Sequence, residues 1–131
     1  HDYNQHVDAY HRRYDSFETE EGVFENMAKR QSYGGQPYFL SEYGGIRWTD
    51  SEDGWGYGDA PATVEEYVER YCSMNEILRS NPRICGVCYT QLYDVEQECN
   101  GIFRFDRSAK FDKECLEKMR KSMADKAACE E

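Results

Sequence analysis

The sequence predicts an α/β fold, with parallel strands under covering helices, on three observations. Two short runs, Pro37-Tyr38-Phe39-Leu40 and Ile84 to Leu92, are too apolar for half-exposed strands and read as buried ones. A strongly periodic helix separates them. Strands joined through a helix lie parallel, with a right-handed crossover. Two such strands, covered on both faces, make an incomplete sheet. A (β/α)8 TIM barrel takes about 250 residues, so a chain of 131 reads as part of one, roughly its last third.

Each element has its own signal. Phe17, Val23, Phe24 and Met27 form an imperfect apolar stripe, which predicts a helix from Asp15 or Ser16 to about Arg30, stopped by Gly34-Gly35. Pro37 to Glu42 is the first strand. Tyr43 to Pro61 is a long loop with Gly44, Gly45, Gly54, Gly56 and Gly58, and its Trp48, Trp55 and Tyr57 argue against disorder. Thr63-Val64-Glu65-Glu66 is a capping box. The helix it opens carries Val64, Tyr67, Val68, Tyr71, Met74, Ile77 and Leu78 at a period of 3.6 and ends at Asn81-Pro82. After the second strand come an acidic loop, Asp94 to Glu98, and a turn at Asn100-Gly101. A short extra strand is expected over Ile102-Phe103-Arg104-Phe105 and a last helix from about Phe111 to Met123.

Composition excludes some functions. A formal net charge of -10 argues against nucleic acid and anionic membranes as partners, since both select a basic face. No apolar run approaches the ~20 residues of a membrane span, and no signal-peptide pattern opens the chain. The opening His1-Asp2-Tyr3-Asn4-Gln5 lacks an initiator Met and reads as the middle of a longer polypeptide. Of the six cysteines, Cys72, Cys85, Cys88 and Cys115 fall at apolar positions of expected elements. There cysteine behaves as a small hydrophobe, so the thiols read as reduced and the protein as cytoplasmic. Cys85-x-x-Cys88 resembles half a zinc ligand set, but no second pair is suitably spaced, and strand alternation sends the two thiols to opposite faces. No metal site is therefore assigned. Asp94, Glu96 and Glu98 read as a solvated or salt-bridged loop.

The stretch that carries chemistry is Ser41-Glu42-Tyr43-Gly44-Gly45. It sets one carboxylate where a buried strand gives way to a glycine-rich loop, and barrel active sites lie at the C-terminal ends of strands. Tyr38, Tyr43 and Trp48 flank the acid in sequence. Aromatic faces beside a carboxylate suit a sugar, which offers C–H groups on its faces and hydroxyls at its edge. The plainer alternative for Glu42 is a structural salt bridge.

Gly35-Gln36-Pro37-Tyr38-Phe39-Leu40-Ser41-Glu42-Tyr43-Gly44-Gly45-Ile46-Arg47-Trp48 resembles the nucleophile region of glycoside hydrolase family 2, the β-galactosidase and β-glucuronidase family. Gly54-Trp55-Gly56-Tyr57-Gly58, the stretch Ile84 to Glu98, Phe105-Asp106-Arg107 and Lys110-Phe111-Asp112 continue the likeness in order, from His1-Asp2-Tyr3 to about Met119. The resemblance implies that residues 1–131 are a C-terminal fragment of a retaining glycosidase barrel, holding its seventh and eighth strands. It implies Glu42 as nucleophile, Tyr89 as an aromatic platform under the sugar and Tyr3 as a donor to the nucleophile. Trp48 and Trp55 would wall the pocket. Each aromatic has an alternative as a packing residue. In the family the acid/base glutamate follows an asparagine; here Asn75-Glu76 lies inside a helix, so that half of the pair is missing from the chain. Family galactosidases often use Mg²⁺ or Na⁺, but no cofactor is assigned within these residues.

The expected function is therefore part of a retaining β-glycosidase acting on β-galactosides, with β-glucuronides and β-mannosides left open. A non-catalytic carbohydrate-binding or interaction module is the alternative. A thiol-dependent protein built on Cys85 and Cys88 is a third reading, disfavoured because neither thiol opens a helix. Strands stripped of neighbours would expose hydrogen-bonding edges, so the isolated chain is expected to self-associate.

Overall fold

The computed structural model describes residues 1–15 and 34–130. Helix α1 spans Val7–Asp15, strand β1 Tyr38–Gly44, helix α2 Val64–Ser80, strand β2 Ile84–Thr90 and helix α3 Lys113–Ala124; a 3₁₀ turn follows at Ala128–Glu130. The helix expected between Asp15 or Ser16 and Arg30 falls on residues 16–33, outside the described residues, apart from Asp15 itself. α1, which precedes it, was not anticipated from the pattern. Its inward positions are Val7, Tyr10 and Tyr14, and the two tyrosines are almost wholly buried.

α2 begins where the capping residues place it. Thr63 Oγ1 accepts the Glu66 N–H at 3.1 Å, and the Glu66 carboxylate reaches back to the Ala62 N–H at 2.7 Å. That return bond lands one residue earlier than in the usual reciprocal box. Tyr67, Val68, Tyr71, Met74, Ile77 and Leu78 form the buried stripe. The helix closes at Asn81, whose N–H returns to the Leu78 carbonyl, and Pro82 follows. α3 starts two residues later than the pattern suggests, because Asp112 takes the cap and accepts the Cys115 N–H at 2.8 Å. Phe111 is buried just ahead of it.

β1 and β2 pair in parallel, Tyr38 opposite Ile84 and Gly44 opposite Thr90, with register irregularities after Tyr38 and after Leu40. Here the expected part of a (β/α)8 TIM barrel is corrected. Among the described residues three α-helices accompany one sheet of two strands, far from an eight-stranded closed barrel. Each apolar run does become a strand, but the number of strands and their closure depend on partners that neither run encodes. The extra strand expected at Ile102 to Phe105 is reduced to single bridges from Phe103 to Tyr93 and Ala109. Nor do the described residues cover both faces of the sheet. Leu40, Tyr43 and Ile84 belong to the core, whereas Phe39 is 57% exposed and Cys85 and Cys88 are exposed. No described helix is long and apolar enough to cross a membrane.

Tyrosine dominates the core. Tyr10, Tyr14, Tyr43, Tyr67 and Tyr71 are all buried, around Met74, Leu78, Phe111 and Met119. A buried phenol needs a partner for its hydroxyl. Tyr14 donates to Asp2 Oδ2 at 2.9 Å, Tyr10 to the Asp2 carbonyl at 3.3 Å and Tyr43 to Asn75 Oδ1; Tyr67 pairs with Tyr89 at 3.1 Å.

Burial pushes the phenols of Tyr10, Tyr14, Tyr43 and Tyr67 well above the ordinary tyrosine range, mainly by desolvating the phenolate. A folded pKa above the unfolded one gives stability that is complete below about pH 10 and lost as pH climbs past it. Phenolate absorbance and helical circular dichroism are thus expected to change together in one alkaline transition. Phenols that all ionised near pH 10 with the helices intact would contradict the buried arrangement.

Candidate active site

Glu42 lies toward the C-terminal end of β1, on the opposite side of the strand from the buried Tyr43. Its side chain is 38% exposed, and its recorded contacts converge on one oxygen, Oε2. The Tyr3 phenol donates to that atom, and His1 Nδ1 sits 3.1 Å from it. Burial, followed by the facing Glu42 carboxylate, raises the Tyr3 pKa far above its ordinary value, with the Thr90 side chain acting the other way. Tyr3 therefore stays protonated and remains a donor. Among the described residues no hydrogen bond reaches the second oxygen, Oε1.

The N-terminal residues are seated on β1 by a backbone rung. The Asp2 N–H donates to the Glu42 carbonyl at 2.9 Å, and the Gly44 N–H donates to the Asp2 carbonyl at 3.2 Å. The Asp2 carboxylate, almost fully buried, is held by Arg13 Nη1 at 2.6 Å, the Tyr14 phenol at 2.9 Å and the Asn4 N–H at 3.0 Å. α1 thus serves as the clamp that sets residues 1 to 3 beside Glu42. Gln5 adds a second tie, donating through Nε2 to the Gly44 carbonyl at 2.8 Å and the Tyr57 carbonyl at 2.7 Å. Arg70 on α2 in turn donates to Gln5 Oε1 at 3.0 Å.

Aromatic rings complete the wall. Tyr3 stacks on Tyr57 with centroids 3.7 Å apart and planes 9° from parallel, and the half-exposed Trp55 meets Tyr57 edge-on at 5.8 Å. Gly44 and Gly45 make this approach possible. Both have positive φ, +86° and +65°, and a Cβ would lie 2.3 Å from the Tyr89 ring at Gly44 and 2.5 Å from the Tyr57 ring at Gly45.

Of the other residues singled out from sequence, Tyr89 lies near the end of β2. It pairs with Tyr43 across the sheet and packs edge-on against Tyr43 and Tyr71 on the helix side, while its hydroxyl accepts the Ile46 N–H at 3.3 Å and contacts Tyr67. The Tyr89 ring is partly buried against the core. Trp48 packs on Tyr67 and Phe111. Asn75 and Glu76 sit within α2, Asn75 buried and bonded to Tyr43. Asp94 is paired with Lys110 at 2.6 Å, and Glu98 accepts from Asn100 at 3.1 Å, so the acidic loop is salt-bridged and hydrogen-bonded in part.

Sequence reasoning missed His1, Asp2, Gln5 and Tyr57 as members of this site. The available signal was the polar cluster Asp2, Asn4 and Gln5 ahead of a helix, residues that take up backbone groups at turns. Among the described residues no group of three or more His, Cys, Asp and Glu side chains is placed to hold a metal ion. No protein-family model matches the chain, and no curated protein matches it.

Proposed function

We propose that this chain supplies the nucleophile of a retaining β-glycosidase acting on β-galactosides, with Glu42 in that role. The observation that carries the reading is the Glu42 carboxylate itself. One oxygen is anchored by Tyr3 and His1, and stacked aromatic rings stand alongside. The ordered likeness to family 2 glycoside hydrolases supports the same assignment.

In this reading Oε1 attacks the anomeric carbon and forms a glycosyl ester as the bond to the leaving oxygen breaks. A second carboxyl, about 5 Å from the first in such pairs, gives that oxygen its proton. It then takes a proton from water, which attacks the same carbon and releases Glu42. The proposal puts this second carboxyl outside the chain, so the chain alone should not turn over ordinary glycosides.

A substrate with an activated leaving group tests the nucleophile by itself, because dinitrophenolate departs without protonation. Incubation with a dinitrophenyl 2-deoxy-2-fluoro-β-galactoside is expected to add one fluorosugar to the chain. Peptide mass mapping should place it on Glu42. A label on another carboxylate would overturn the assignment. Reversible sugar binding with no label would favour the alternative, a non-catalytic carbohydrate-binding module, for which the exposed Trp55 is the supporting feature.

A further inference from the structure

A second cleft opens between the loop after β1 and the segment after β2, with a volume of about 400 Å³. That is within the range of small-molecule sites, roughly 300–1,000 Å³. Neither Glu42 nor Tyr3 lines it. Its wall carries two aromatic side chains, Trp48 and Phe105, and Phe105 is 69% exposed. The Asp94–Lys110 ion pair closes its base: Lys110 also donates to the Trp48 and Cys99 carbonyls, at 2.9 and 3.3 Å, which ties both loops to one cation.

The remaining lining selects the kind of ligand. Asp50, Glu96 and Asp106 offer carboxylate acceptors, which disfavour an anion. Arg104 stands in the same wall and disfavours a free organic cation, and no described cluster of acids is gathered closely enough to hold a metal ion. What remains is a neutral ligand able both to donate and to accept, with an apolar face for a ring. A saccharide has these properties: each hydroxyl can give a hydrogen bond to a carboxylate and take one from Arg104 or Ser51, while its C–H face lies on an aromatic plane.

We propose that the cleft framed by Trp48 and Phe105 is a second saccharide-binding site, separate from the carboxylate on β1. It gathers a neutral sugar unit through ring stacking and carboxylate acceptors, and it needs no covalent step. The site does not depend on Glu42 being a nucleophile.

The test is titration of the ¹⁵N-labelled chain with lactose, followed by amide shifts. Saturating shifts are expected at Ser51, Phe105 and Asp106. Phe105→Ala, at an exposed position that the fold does not need, should weaken this binding roughly tenfold or more, equivalent to ~1.4 kcal/mol. Shifts confined to the surroundings of Glu42, no shifts at tens of millimolar lactose, or unchanged affinity in Phe105→Ala would each overturn the proposal. Loss of fluorosugar labelling at Glu42 would leave these shifts in place, so the two readings fail separately.

Discussion

Replacing Lys110 by Met is expected to cost the fold about 3–5 kcal/mol, the loss typical of stranding one partner of a buried ion pair. The Lys110 side chain is 4% exposed and that of Asp94 9%. Asp94 Oδ1 also accepts the Gly101 N–H at 2.9 Å, so it cannot turn outward without opening that turn. Methionine fills most of the lysine's volume but leaves a carboxylate unpaired and the Trp48 carbonyl without its Lys110 donor, while the Cys99 carbonyl keeps the Trp48 N–H. With total stability for a small domain of ~5–15 kcal/mol, the loss would be visible directly in a urea unfolding curve. The double variant Lys110→Met with Asp94→Asn strands no charge and keeps an acceptor for Gly101, so it should lose less than Lys110→Met alone. A single variant within about 1 kcal/mol of the parent would show that the pair does not hold the two loops together.

The second large effect rests on the proposed role of Glu42 as nucleophile and concerns Tyr3→Phe and the lifetime of the glycosyl ester that role would form. When that ester breaks, negative charge returns to Glu42, and a fixed donor aimed at the developing carboxylate lowers the barrier. Removing one such donor typically slows a step by ~10²–10³. The Tyr3 phenol is that donor, held protonated by burial and by the facing carboxylate. Phenylalanine keeps the stack on Tyr57 and removes only the hydroxyl. Attack by Glu42, in which charge leaves the carboxylate, gains less from the phenol, so the variant should still take up the fluorosugar. Its adduct should then decay about 10² more slowly than the parent's in azide, which needs no base to attack. Equal decay rates would remove Tyr3 from the chemistry and leave it a packing residue.

What could be read from the residues and what could not divides along physical lines. α2 was legible because a capping Thr, a 3.6-residue stripe and a terminal Asn-Pro all act within one short window. The two strands were legible as apolar runs, and their parallel pairing follows from the helix between them. Barrel closure was not legible, since it is a property of strands that pair far apart in sequence. α1 escaped notice because its buried face is built from tyrosines between charged residues, which lowers the apparent hydrophobicity of a segment that is well packed. At the site, Glu42 and Tyr3 were both singled out and stand in contact. Tyr89 shares the Tyr43 side of the sheet, and the next residue, Thr90, is the one beside Tyr3. His1 is brought to Glu42 by the Asp2 rung, and Tyr57 to Tyr3 by the Gln5 ties and its own N–H bond to the Gly45 carbonyl, which no local pattern records.

The like direction of β1 and β2 carries an evolutionary consequence. Both chains leave the sheet at the same pole, so the segments that follow them are adjacent without any reversal between. Insertions, deletions and exchanged side chains in either segment would reshape the surface at that pole, while the phenol-rich interior and strand alignment stay as they are. Under the proposed function, a change of ligand preference would thereby be uncoupled from the scaffold.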